Sequence, residues 1–335
     1  MGNTRISVGA LGLLAASGMV LAGCGSGDDG SSTDAGGTGG SDTYKVYALL
    51  PQGTDQPYGT TYLPPMEAEA EKDGIDLTIT NSQYDADKQA SDCTVAVAAK
   101  PDLIILWPAV GDTVRPCLAA AQAADIPVTV TNSDVNPEDK DLTAGYSGPD
   151  TYGQGAASAE IMCELAGSDP TNIIVVNGLT GNSTAINRRE GFVDTIGKDC
   201  PNVTILAEQP GNWNKDDSQT VTSEMLTSVG AENVDGIYAA DDTMVAGAIA
   251  ALKSRDIDPE PLYITSIGNT KLGNPLVKSG ELDGTIFQSS SWDGQNAIVV
   301  ANKVLNGETI EEDLFMPSVK VTADNADDPA VAPEW

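Results

Sequence analysis

The chain has 335 residues, 17 basic and 49 acidic, for a net charge of −32. That balance excludes the basic footprint a nucleic-acid partner needs and describes a strongly solvated surface. Histidine is absent, which removes His-based catalytic triads and His-ligated zinc sites from consideration.

In chain order, Arg5 precedes an apolar run over 6–20, which closes on Leu21-Ala22-Gly23-Cys24. A basic start, a short apolar segment and small residues at the cut mark a secretory signal, and the run is too short and too rich in Gly and Ala for a membrane span. The string resembles a bacterial lipoprotein signal. That resemblance implies a signal peptide over 1–23, a lipid on Cys24 and an extracytoplasmic protein anchored to the cell membrane. Residues 24–43, almost wholly Gly, Ser, Thr and Asp after the cysteine, read as a flexible linker.

From Tyr44 onward short β-branched runs recur, at 45–50, 76–80, 102–106, 127–131, 172–176, 203–206, 236–239, 263–267 and 284–288. Strands apolar on both faces that alternate with helices predict parallel sheets covered on both sides. Met244, Val245, Ala248, Ile249 and Leu252 share one helical face behind Asp242, the expected N-cap. Pro64 and Pro65 are expected to delay the first helix to that point. A polar, Gly-rich stretch at 144–155 divides the strands into two sets, so the expected fold is α/β, with two doubly wound parallel-sheet lobes.

Four cysteines besides Cys24 allow three pairings in an exported chain. The sequential pairing, Cys93–Cys117 and Cys163–Cys200, is preferred because each bridge stays within one lobe and leaves motion between lobes free. No Cys-X-X-Cys motif supports thiol chemistry.

Ligands of open parallel sheets bind beyond the carboxyl ends of the strands. Those positions hold 52–58, Trp107, Asn132, 178–183, Trp213, Asp241, Asn269 and Gln288. Aromatic faces with neutral amides suit the C–H faces and hydroxyls of a sugar, whereas an anion would call for basic side chains or Gly-rich helix N-termini. Acidic pairs such as Asp216-Asp217 and Asp327-Asp328 read as solvated surface, and EF-hand spacing is absent, so no metal or cofactor is expected.

Four segments carry a family resemblance: Gln56-Pro57-Tyr58-Gly59, the strand from Ile126-Pro127-Val128 to Asn132, the run from Tyr238 to Ala248 around Asp241-Asp242, and the run from Gly280 to Gln288. In this order they resemble the ribose/galactose-type (type I) periplasmic binding proteins of ABC importers, over residues 44–320. The resemblance implies Tyr58 and Trp213 as aromatic faces against the ligand and Asn132, Asp241 and Gln288 as polar contacts. Departures from the family pattern leave Asn132-Ser133 in place of an Asp-Arg pair, Ile186 in place of a ligand arginine, Asn269 as the polar side chain after Ile267-Gly268, and Trp107 where Asn is common. A sugar, a sugar alcohol or another polar small molecule therefore remains open. Packing for Trp107 and Trp213, helix capping for Asp241, a hinge role for Gln288 and an Asx-turn for Asn132 are the plainer alternatives.

The resemblance further implies hinges near 146–147, 289–290 and 306–317. The first lobe would then comprise 44–146 with 289–308, and the second 147–288 with 309–335. It implies a monomeric, non-enzymatic clamp that delivers its ligand to a membrane permease. Two rivals are a sensor that docks on a chemoreceptor or membrane kinase, and an exported hydrolase. The hydrolase lacks a Gly-X-Ser-X-Gly elbow and has a single cleft acid, Asp241. No helix-turn-helix precedes Tyr44, which disfavours a repressor.

Overall fold

The structure is a computed structural model that describes residues 43–335. The expected signal peptide, the lipid site at Cys24 and the linker up to residue 42 lie outside the described residues. Two six-stranded sheets form two lobes. The first has the order β11-β5-β4-β3-β1-β2, with β2 at Ile75–Asn81, and the second β12-β10-β9-β8-β6-β7, with β7 at Val203–Pro210 and β9 at Tyr263–Thr265. Every pairing is parallel except β10 with β12. The central strands β1 (Tyr44–Leu50), β3 (Leu103–Leu106), β4 (Val128–Thr131), β6 (Thr171–Asn177) and β8 (Gly236–Ala239) are short β-branched or leucine-rich runs. β3, Leu-Ile-Ile-Leu, is buried at all four positions, as a strand covered by helices on both faces must be.

All nine expected strands form. Three short ones escape the sequence pattern: β5 (Tyr146–Gly148), β11 (Leu314–Phe315) and β12 (Lys320–Thr322). β11 pairs with β5 in the first sheet and β12 with β10 (Gly284–Ile286) in the second. Residues 309–335, expected wholly in the second lobe, are therefore divided between the two, and Ser147 and Gly148 join the first sheet. The expected hinge at 289–290 falls where the chain passes from β10 of the second sheet to α9 (Ser290–Leu305), which packs on the first lobe and has Ser289 as its N-cap.

Helix α1 (Pro57–Lys72) corrects the expectation for Pro64 and Pro65, which lie inside it. Pro57 in its first turn starts the helix. The two internal prolines remove two backbone donors, yet Tyr58, Tyr62, Leu63, Met66 and Ala70 bury one face in the first core, and that burial outweighs the lost hydrogen bonds. α9 packs directly on this helix. A Cβ at Gly294 would lie 2.0 Å from the Tyr62 carbonyl oxygen, so only glycine permits the approach. A second correction concerns α7 (Asp242–Lys253). Its N-cap is Asp241, whose side chain accepts from Met244 N, whereas Asp242 turns inward to Ser266, Thr285 and Thr270 N.

Cys93 of α2 (Ala86–Ala99) is bridged to Cys117 of α3 (Gly111–Ala123), and Cys163 of α4 (Thr151–Ala166) to Cys200 after α5 (Ser183–Asp199). Each bridge ties two helices on the outside of one lobe.

Candidate functional site

A cavity of about 150 Å³ opens between the lobes beyond the carboxyl ends of both sheets. At roughly 30 Å³ per water it has the volume of about five waters, the scale of a small polyol or single sugar ring. The first lobe supplies Gln52, Tyr58, Tyr84, Trp107, Asn132 and Ser133. Asn182, Thr184, Arg188, Trp213, Asp241, Thr243, Leu272 and Gln288 come from the second, and Trp335 completes the wall. Six of the seven residues singled out from the sequence thus meet in one cavity: Tyr58, Trp107, Asn132, Trp213, Asp241 and Gln288.

Asn269 does not line it. The chain turns away at Gly268, and Asn269 is 1 % exposed, its Nδ2 donating to the Val331 carbonyl and its Oδ1 accepting from Asn274 Nδ2 at 3.1 Å. It clamps a later segment of the chain.

A buried hydrogen-bonded chain runs behind the cavity from one lobe to the other. The Tyr58 hydroxyl donates to Asp293 Oδ2 at 2.7 Å and accepts from Asn132 Nδ2 and Gln288 Nε2, both at 3.1 Å. Asn132 Nδ2 also donates to Asp293 Oδ2 at 2.6 Å, and Thr131 Oγ1 to Asp293 Oδ1 at 3.3 Å. Gln288 Oε1 accepts from Arg188 Nη2 at 2.5 Å. Tyr58 therefore spends its hydroxyl on this network, and its ring meets Trp107 and Trp335 edge-on, at 5.6 and 4.9 Å between centroids.

Arg188 is foremost among the wall residues that the sequence reading missed, with Tyr84, Thr184, Thr243 and Trp335. Arg188 is 4 % exposed, while Ile186, at the position compared with the family's arginine, is 43 % exposed. A shift of two residues along α5 turns a side chain to another face of the helix. Thr184 and Arg188, spaced i,i+4, share the cavity face, and that spacing behind the N-cap Asn182 was the available signal. Arg188 Nε and Nη2 donate to Gln154 Oε1, Nη1 to the Ala240 carbonyl and Nη2 to Gln288. Four of the five guanidinium N–H groups are thereby used, leaving one Nη1 hydrogen for a ligand. Burial pulls the Arg188 pKa below its ordinary value.

Trp213 stands between β7 (Val203–Pro210) and α6 (Lys215–Val229) with φ of 58°, a left-handed conformation that a bulky residue rarely adopts and that clusters at ligand sites. Its indole is half-buried against Gly178, where any Cβ would come within 2.2 Å of the ring. The guanidinium of Arg188 lies 5.9 Å from its centroid, fixing the ring by a cation–π contact. Asn132 shares the left-handed backbone, at φ of 59°.

Burial pushes the Asp241 carboxyl up to about 7, against the hydrogen bond from Met244 N and the charge of Arg188, which pull it down. Asp293, also buried, is pushed up to about 7 despite its three donors. Two wall residues carry buried polar atoms with no protein partner, Gln52 Oε1 and Trp107 Nε1. An acceptor and a donor left bare cost about 1–3 kcal/mol each. The site can thus hold a neutral molecule by ring faces, amides, one carboxyl and one guanidinium. Among the described residues no cluster of His, Cys, Asp or Glu could hold a metal.

The family model described as "Periplasmic binding protein domain" matches residues 47–309. The chain is 28% identical over 325 residues to a xylitol-binding protein of Mycolicibacterium smegmatis, covering 97% of this chain and 88% of that protein. It is 30% identical over 219 residues to a galactofuranose-binding protein of Escherichia coli, covering 65% of this chain and 68% of that one. The fold is shared with an ABC transporter solute-binding protein of Bacillus halodurans solved with bound myo-inositol. That structure aligns with a TM-score of 0.77 at 22% identity, covering 86% of this chain and 98% of the other.

Proposed function

The chain belongs to the periplasmic binding protein family, a family of extracytoplasmic binding proteins rather than enzymes, and from that premise we propose that it captures a neutral sugar or sugar alcohol between its lobes. The observation that carries this reading is the cavity wall. Tyr58, Trp107, Trp213 and Trp335 supply aromatic surface, amides and hydroxyls predominate among the polar groups, and only one guanidinium and one carboxyl line the wall. Such a wall matches a molecule with many hydroxyls and no net charge. Xylitol and galactofuranose, bound by relatives of this chain, belong to that chemical class. The ligand bridges both lobes, its contacts favour the closed form, and a membrane permease of the ABC class takes up that form.

The purified protein is expected to be stabilised by at least one member of a panel of xylitol, D-ribose, D-galactose and myo-inositol. The gain is roughly 4 kcal/mol at a thousandfold excess over Kd, read as a shift in melting temperature and confirmed by calorimetry. A panel without effect, beside a clear shift with an amino acid or an organic acid, overturns the reading.

Leu21-Ala22-Gly23-Cys24 supports a lipid on Cys24 as the membrane attachment. Cells expressing the wild-type chain should incorporate a fatty-acid analogue into it and Cys24→Ser should not. Equal labelling of both removes the anchor from the proposal.

A further inference from the structure

Residues 331–335 form a strap between the lobes, anchored at Val331 and at Glu334. Val331 is buried in the second core, and its carbonyl accepts from Asn269 Nδ2. Glu334 holds the start of α9, accepting from Ser289 Oγ at 2.7 Å, Ser290 Oγ at 3.1 Å and Ser291 N at 2.8 Å. A carboxylate at a helix N-terminus is stabilised by the free amides and by the helix dipole. Beyond these anchors the Trp335 indole packs on the first core and edge-on against Tyr58, its Nε1 donating to the Gln288 carbonyl at 3.3 Å.

Trp335 is therefore held from both lobes at the cavity wall, in contact with the Tyr58–Gln288 bond that joins them. We propose that Trp335 is a specificity-determining residue, whose ring closes one side of the pocket and limits the ligand to a single sugar ring or a short polyol. This rests on the sugar or polyol reading of the site and deepens it. Trp335 is one of the residues that bound the cavity of about 150 Å³. Asn269, which does not line the pocket, acts on it by holding the strap that positions this ring.

The test compares wild type, Trp335→Phe and Trp335→Ala by calorimetry against xylitol, D-ribose, D-galactose and myo-inositol, and against the disaccharides maltose, lactose and sucrose. Wild type binds one or more of the small probes and no disaccharide. Trp335→Ala weakens the small-probe affinity about tenfold or more and moves the ratio of disaccharide to small-probe affinity toward the disaccharide. Trp335→Phe, which keeps a ring but loses the Nε1 bond to Gln288, falls between wild type and Trp335→Ala in both affinity and ratio. Ligand-free melting curves separate a loss of fold from a change of selectivity, which a merely structural role would not alter. Unchanged affinity and unchanged ratio in Trp335→Ala overturn the assignment while leaving the sugar reading intact. A wild type that binds none of the seven overturns both.

Discussion

Replacing Arg188 by Met is expected to weaken ligand binding about a hundredfold or more and to cost about 2–4 kcal/mol of stability. The stability loss has a definite origin. Gln154 Oε1, Gln288 Oε1 and the Ala240 carbonyl would lose their charged donor inside the fold, at about 1–3 kcal/mol each, partly offset because a buried charge no longer has to be kept out of water. Binding suffers twice. The spare N–H disappears, and Gln288 and Trp213 lose the group that orients them. Lys cannot substitute, since a point charge does not span Gln154, Ala240 and Gln288 together. Calorimetry and urea melts on the same preparation decide the matter: a stability loss with affinity within threefold of wild type would make Arg188 a packing residue only.

The second large effect concerns Asp293, which is absent from the cavity wall. Its carboxyl accepts from Tyr58, Asn132 and Thr131, so Asp293→Ala strips one acceptor group from three buried donors and should cost roughly 3–5 kcal/mol. It also carries a pH dependence. The folded pKa of about 7 lies above the ordinary 3.8. Between those values the folded protein keeps a proton that the unfolded chain has released. The stability contributed by that proton is complete below about pH 4 and lost as pH rises through about 7, to a total of at most about 4 kcal/mol. Asp241 acts in the same direction. Urea titrations from pH 4.5 to 8 on wild type and Asp293→Asn isolate the Asp293 share, because Asn does not titrate. Parallel curves for the two proteins would show that Asp293 keeps an ordinary pKa.

The sheets were legible because the strands that build them are buried on both faces and so carry continuous apolar runs, of which Leu103–Leu106 is the plainest. β5, β11 and β12 were not, since two or three residues such as Leu314–Phe315 hold no period. The cavity was legible wherever strand ends alone fix position, as for Trp107, Asn132, Asp241 and Gln288. It was not where a helix face decides, as for Arg188, or where a turn redirects the chain, as for Asn269 after Gly268, whose φ is 138°. Asp293 left one trace, an acid on the α9 face that otherwise carries Gly294, Ala297, Ile298 and Ala301 into the core. Trp335 left none, because its place depends on a strap that crosses between lobes far from any strand end.

The two disulfides make the strength of this fold a property of its address. They close loops with sequence separations of 24 and 37 residues, which in a chain-entropy picture removes about 3–4 kcal/mol of unfolded-state freedom apiece. Together that rivals the roughly 5–15 kcal/mol by which a whole domain is stable. Before oxidation the same polypeptide is correspondingly easier to unfold. Once outside, where thiols pair, each lobe is locked separately. Because neither bridge joins the lobes, the cleft between them stays free to open.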